Sequence, residues 1–203
     1  SKNWSTSNMP ASFDIHTESD NRSPQIQKDF LWLHIRELPY FRGLLRAVEA
    51  RFYQDIDLPA PTLDVGCGDG HFASVAFERA LDIGLDPWHA PIREAAHRAA
   101  YHSLVQADGG SMPFPDHYFG SAISNSVLEH IPNIEAVLLE TARVLKPGAP
   151  FYFCVPNHNF NPNLAVANTL EKFGLPDLGN TYRKFFDRIA RHIHLDPPEV
   201  WSN

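Results

Sequence analysis

Three short segments hold the residue types that could do chemistry together. The first is Leu63-Asp-Val-Gly-Cys-Gly-Asp-Gly70, with glycines at 66, 68 and 70. Glycines at that spacing let a backbone turn sharply and approach a ligand without Cβ obstruction. The second is Asp86, closing the apolar run Ile83-Gly-Leu-Asp86. A carboxylate there can accept from both hydroxyls of a ribose. The third is Asp108-Gly-Gly-Ser-Met-Pro-Phe-Pro-Asp116. In it Asp108 can accept from an exocyclic amine, the Gly109 N–H can donate to a ring nitrogen, and Met112, with Pro87 and Trp88, can cover the faces of a planar base. The chemistry this predicts is recognition of an adenosine-like ligand. The G-x-G-x-G spacing differs from the G-x-G-x-x-G of a dinucleotide loop, and no G-x-x-x-x-G-K-[ST] triphosphate loop occurs.

These segments need a scaffold that brings them to one edge, and alternation along the chain supplies it. Thr62–Val65, Ala80–Leu85, Ser103–Gln106, Phe119–Asn125 and Phe151–Val155 read as strands. Between them helices are expected at His71–Arg79, Ile92–Tyr101 with Pro91 in its first turn, and Ile134–Leu145, stopped by Lys146-Pro-Gly148. Strand alternating with helix predicts an α/β, Rossmann-like, doubly wound and mostly parallel sheet. In such a sheet ligands bind beyond the carboxyl ends of the strands.

Around this core, residues 58–157, the chain divides further. Residues 1–24 are polar without periodicity and read as a flexible leader. Residues 25–57 form an N-terminal helical cap, in which Phe41, Leu44, Leu45, Val48 and Phe52 make a stripe predicted to face the core. Residues 158–203 read as a helical insertion over the substrate, with helices at Leu164–Phe173 and Tyr182–His194. Trp32, His34, Tyr40 and Phe41 are candidates for a lid over the ligand. Arg183, Lys184, Arg188 and Arg191, interleaved with Phe185, Phe186 and Ile189, read as a basic amphipathic cap helix.

Composition excludes several classes. The 203 residues carry a formal charge of −7, are 43% hydrophobic, and contain two cysteines. That is too apolar for a disordered chain, and an acidic balance disfavours duplex nucleic acid. Two cysteines make no disulfide framework, so a cytoplasmic setting is expected. No stretch approaches the ~18–20 apolar residues of a membrane span, so no integral membrane contact is expected. His192-x-His194 with His158 matches no zinc spacing, and no metal is expected.

Five motifs in order then carry a resemblance. Leu63–Gly70, Gly84-Leu-Asp86, Ala107-Asp108…Met112-Pro-Phe-Pro115, Ser126-Val-Leu-Glu-His130 and Ala142-Arg-Val-Leu-Lys-Pro-Gly148 resemble the class I S-adenosylmethionine-dependent methyltransferases. The similarity is strongest to the small-molecule branch that includes ubiquinone and menaquinone methyltransferases. It covers about residues 58–157. It implies S-adenosylmethionine as cofactor, with Gly66, Cys67, Gly68 and Gly70 around its methionine part and Asp64 near its amino group. It further implies Asp86 on the ribose, Asp108 and Gly109 on the adenine edge, and backbone near Asn125 at the methionine end.

For the acceptor side, Glu129 and His130 follow strand four and His158 follows strand five, so these three are the candidate catalytic residues, His130 as a general base. A small-molecule acceptor is expected, at oxygen or carbon. Asn125-Ser-Val-Leu128 is not the Asn/Asp-Pro-Pro-Tyr/Phe run of base amino-group methylation. Two features depart from the family. Gly120 stands where an Asp is usual, and the final antiparallel strand pair has no counterpart. The chain therefore reads as cut short after Asn203; the alternative is an exposed strand-five edge that a partner's strand, as in a homodimer, would cover. Two alternatives stay open: a non-catalytic scaffold that binds the cofactor and acts through a partner, and an NAD-dependent oxidoreductase.

Overall fold

A computed structural model describes residues 28–156, 159, 162–190 and 193–201. The 1–24 segment, His158 and His192 lie outside the described residues. The core is an all-parallel sheet of five strands: β1 Thr62–Val65, β2 Leu81–Asp86, β3 Tyr101–Gln106, β4 Ser121–Asn125 and β5 Phe151–Cys154. Their order is β3-β2-β1-β4-β5, so the direction of winding reverses between β1 and β4. That reversal opens the crevice where ligands bind in open α/β sheets. Helices flank the sheet: α1 Phe30–Ile35, α2 Tyr40–Phe52, α3 His71–Ala76, α4 His89–Ala95, α5 Ile134–Val144, α6 Ala165–Lys172, α7 Pro176–Ala190 and α8 Pro198–Trp201.

The central strands β1 and β4 are buried along almost their whole length because both faces are covered. Leu63, Val65, Leu85, Met112, Phe119, Leu128 and Val144 form the main core cluster. Among the described residues no strand follows β5, which lies at an edge of the sheet with its side chains half-buried and Phe153 packed on Trp201.

Four expectations need correction. The Phe41, Leu44, Val48 and Phe52 stripe of α2 points outward, at 45, 38, 47 and 64% exposed; the helix buries Gly43, Ala47 and Ala50 instead. At Gly43 the neighbouring residue comes close: a Cβ there would stand 2.8 Å from Ile35 Cγ2 and 3.2 Å from the Ile35 backbone nitrogen. Helix α4 spans His89–Ala95 rather than Ile92–Tyr101, and Tyr101 opens β3. The chain turns at Ala99, which takes φ +52°, and the Ala100 carbonyl accepts from the Leu81 N–H, drawing the next residues into the sheet. Helix α3 stops at Ala76, short of Arg79. Helix α7 begins at Pro176, not Tyr182, because proline's fixed φ suits a first helical position.

Gly120 also has a local cause. A Cβ there would lie 2.6 Å from the carbonyl oxygens of both Pro59 and Ala60, so the approach to β1 leaves no room for the usual Asp.

Candidate active site at the carboxyl edge of the sheet

The loop after β1 is built by backbone. The N–H groups of Gly66 and Cys67 both donate to the Leu85 carbonyl, at 2.8 and 2.9 Å, which folds the loop over the end of β2. Gly66 and Gly68 take φ of +82° and +55°, where a side chain is strained. Their surroundings differ. A Cβ at Gly66 would stand 2.4 Å from Val127 Cγ1, whereas at Gly68 nothing lies within 4 Å. Gly68 therefore borders open space at the mouth of the loop. Gly70 takes φ +72° and caps α3.

Asp86 pins this loop. Its Oδ2 accepts from the Gly68 N–H at 3.0 Å and its Oδ1 from the Trp88 N–H at 2.9 Å. Beside it Pro87 is exposed, and Trp88 presents its ring to solvent at 71% exposed. At the end of β3, Asp108 is exposed and accepts the Gly110 N–H through Oδ1 at 2.7 Å, while Gly109 packs toward Val137 of α5. Met112 differs from its expected position on a base face: it is 5% exposed within the main core, and its N–H donates to Glu140. The side chain of Cys67 also turns inward, toward Gly84, and burial pushes its thiol well above the usual range. Only its backbone belongs to the loop.

Asp64 sits beneath the loop at 4% exposed, and burial raises its pKa to about 7. The Tyr101 hydroxyl donates to Asp64 Oδ2 at 2.7 Å, opposing that rise. Gly84 makes this bond feasible, since the Tyr101 ring passes where a Cβ would be, 3.0 Å from Cδ1. Reading Tyr101 as a helix end concealed it.

The acceptor side lies beyond β4. Glu129, in the 3-10 turn Leu128–His130, is 1% exposed, and burial raises its pKa to about 7. Among the described residues its Oε2 has no hydrogen-bond partner, and neither has the buried Oδ1 of Asn125. His130 Nε2 lies 3.7 Å from Glu129 Oε1 and is more exposed. The Glu129 carbonyl accepts from the Ile193 and His194 N–H groups at 2.7 and 3.1 Å, and a His194 ring nitrogen meets the Ile131 carbonyl at 3.0 Å. The 193–196 segment is thus strapped across the turn.

Residues of the helical cap complete the site from above; sequence reasoning misses Glu49 and Arg46, and offers His34 only as a lid candidate. Glu49 of α2 accepts from Asn125 Nδ2 at 2.7 Å and from the Ser126 hydroxyl at 3.0 Å, and Arg46 donates to it at 2.5 Å. On the other side of the crevice, His34 Nδ1 of α1 meets His71 Nε2 at 3.0 Å, both rings buried. The α1–α2 pair thus bridges the reversal point, tied to the β1 loop by one contact and to β4 by the other. An Arg and a Glu three apart on an amphipathic helix look like a surface ion pair, so no local signal marks them.

Fold and site together define a class: a parallel α/β sheet with a glycine loop after β1, an acidic residue ending β2 and a capped crevice between β1 and β4. Residues 63–153 match the family described as methyltransferase domain. Over this segment the chain is similar to S-adenosylmethionine-dependent methyltransferases, a family whose methyl donor is S-adenosylmethionine. It is 33% identical over 133 residues to the sterol methyltransferase-like 1 protein of Botryococcus braunii, covering 57% of this chain and 34% of that one. It is 32% identical over 138 residues to demethylmenaquinone methyltransferase of Tropheryma whipplei, covering 66% and 53%. The chain thus spans about a third to a half of these relatives' lengths. The PH0226 protein of Pyrococcus horikoshii shares the fold, with a TM-score of 0.53 at 23% identity over 63% of this chain and 64% of that one.

Proposed function

We propose that this chain transfers the methyl group of S-adenosylmethionine to an oxygen or carbon of a small, largely apolar acceptor. The observation that carries the reading is Gly68: left-handed backbone, open space where a Cβ would stand, and an amide held by Asp86. Bound in the crevice, the cofactor supplies an electrophilic methyl on a sulfonium.

The chain's own residues would divide the remaining work. Each Asp86 oxygen uses one lone pair on the backbone and retains acceptor capacity for a ribose hydroxyl. Asp108 and the Gly109 N–H would read the adenine edge, with Pro87 and Trp88 beside the base. Asp64 would receive an ammonium, and the Gly66–Gly70 loop and the Asn125 backbone would enclose the methionine part. Glu129, with an orphan oxygen and a pKa of about 7, is the better-placed proton acceptor, and His130 would relay to solvent. The α1–α2 pair would exclude water and hold acceptor and methyl in attack geometry. An apolar acceptor is favoured by the names of the relatives, which specify sterols and a demethylmenaquinone. The two cysteines, both free, fit a cytoplasmic setting.

Calorimetric titration with S-adenosylhomocysteine, with NAD as control, tests the reading. Dissociation constants on the order of micromolar for the first and no heat from NAD are expected. Folded protein that binds NAD, or that binds neither, overturns it. Label transfer from methyl-labelled cofactor onto a panel of phenols and carbon acids then separates an enzyme from a scaffold.

A further inference from the structure

We infer that the outer faces of α2 and of the α6–α7 hairpin dock this protein on the surface of an anionic lipid bilayer. The inference does not depend on methyl transfer.

Helix α2 is inverted relative to an ordinary surface helix. Its small residues face the protein, and Phe41, Leu44, Val48 and Phe52 form one outward stripe at i, i+3, i+7 and i+11. The α6–α7 hairpin exposes apolar side chains as well: Phe173 at its turn is 79% exposed, and Phe185 on α7 is 59% exposed. The Phe41 and Phe186 rings meet edge to face at 5.9 Å, which joins the two elements into one continuous side of the molecule.

Charge selects the occupant. In a chain of net −7, α2 holds Arg42, Arg46 and Arg51 against Glu49 alone, and that carboxylate is engaged by Arg46, Asn125 and Ser126. Arg42 and Arg51 are exposed on α2, as are Lys184 and Arg188 on α7. Helices α6 and α7 together hold Lys172, Arg183, Lys184 and Arg188 against Asp177, Asp187 and Glu171, the last paired with Arg183, so the two faces keep a net positive charge. Basic side chains beside exposed aromatic and aliphatic ones, on helices too short to span, are the pattern of an interfacial helix. An anionic surface attracts this side and repels the acidic remainder, which sets orientation as well as affinity. A second copy docked by two-fold symmetry would instead bring these cations against their own equivalents.

The test is co-sedimentation of the full chain with vesicles of phosphatidylcholine, alone or with about 30 mol % phosphatidylglycerol. Partitioning onto the anionic vesicles should exceed that onto the neutral ones by about tenfold or more. It should fall at least about tenfold in Leu44→Glu/Val48→Glu, which removes apolar contact, and in Lys184→Glu/Arg188→Glu, which reverses charge. All four positions are exposed, so circular dichroism melts of both variants should overlay the parent. No partitioning, equal partitioning onto neutral vesicles, or indifference to Leu44→Glu/Val48→Glu overturns the inference. So does a dimer that the Leu44→Glu/Val48→Glu variant disperses while vesicles remain unbound.

Discussion

The Glu49 carboxylate holds the Asn125 amide at 2.7 Å across 76 residues of sequence, and so fastens the N-terminal helices to the end of β4. The same carboxylate takes the Ser126 hydroxyl and the Arg46 guanidinium, so three groups depend on one side chain. Replacing it with alanine leaves Asn125 and Ser126 without that acceptor beside a crevice that must stay ordered. Glu49→Ala should lose about 1–3 kcal/mol of stability in urea unfolding. It should also weaken S-adenosylhomocysteine binding about tenfold by calorimetry. Unchanged binding would remove the α2 cap from the site.

The His34–His71 contact predicts acid sensitivity. Burial holds the His34 pKa at about 4 and lowers that of His71, so the folded state keeps both rings neutral. His71 also faces Glu37, itself paired with Arg98, while His34 feels Arg46 and Lys28. The unfolded chain protonates near the ordinary histidine value of about 6.5. Protons therefore bind preferentially to the unfolded state as pH falls below that value, and stability declines toward pH 4. Denaturant midpoints measured from pH 7.5 to 4.5 should fall in this window. The slope should be shallower in His34→Gln, which keeps a hydrogen-bonding group but removes one titration.

Asp64 predicts proton release on cofactor binding. Its carboxyl, at a pKa of about 7, is part-protonated near neutrality. An ammonium placed against it favours the charged form and expels the proton. At pH 6.5 the calorimetric enthalpy with S-adenosylhomocysteine should vary with the ionisation heat of the buffer, and near pH 8.5 that dependence should fade. Tyr101→Phe removes the hydrogen bond that favours the carboxylate, so affinity should fall about tenfold. No buffer dependence at pH 6.5 would separate Asp64 from the ammonium.

Alanine at Gly66 and at Gly68 should have different consequences. At Gly66 it meets Val127 as well as an unfavourable φ, and a loss above about 2 kcal/mol is expected. At Gly68 only the backbone term applies, about 1 kcal/mol, because the space beside it is open. Gly68→Ala should therefore fold and melt near the parent while losing most of its affinity for S-adenosylhomocysteine. Full affinity in that variant would move the ligand elsewhere.

Glu129 predicts the pH profile of methyl transfer to a hydroxyl acceptor. A base with a pKa of about 7 is active when ionised, so kcat/KM should rise with pH through that value and level off above it. Glu129→Gln should lower kcat about a hundredfold and flatten the limb. A limb that persists in the variant points to His130 instead.

The sequence was most legible where side-chain type and backbone requirement coincide. The glycines at 66 and 68, the carboxylate ending β2 and the short buried strand β1 each have one structural use, and each lies where it was expected. It was least legible where packing chose among chemically equivalent answers. The large side chains of α2 qualified as a core face, yet the helix turns Gly43, Ala47 and Ala50 inward, and at Gly43 the approach of Ile35 crowds even a Cβ. Tyr101 fits a helix end as well as a strand start, and only the pull of Leu81 on the Ala100 carbonyl decides. Glu49 and Arg46 belong to the site through contacts from the cap, and such contacts leave no mark on local pattern; His34 reads as a lid candidate, but its contact with His71 is not legible.

The contact of Gly120 with Pro59 and Ala60 has an evolutionary side. Those two carbonyls stand where any side chain at position 120 would begin, so the identity of residue 120 and the path of the 58–61 segment are sterically coupled. Neither can change alone: an Asp at 120 collides with the present path, and a rerouted path would leave Gly120 without its reason. The two positions should show strong epistasis, with the Asp tolerated only after the segment before β1 has changed.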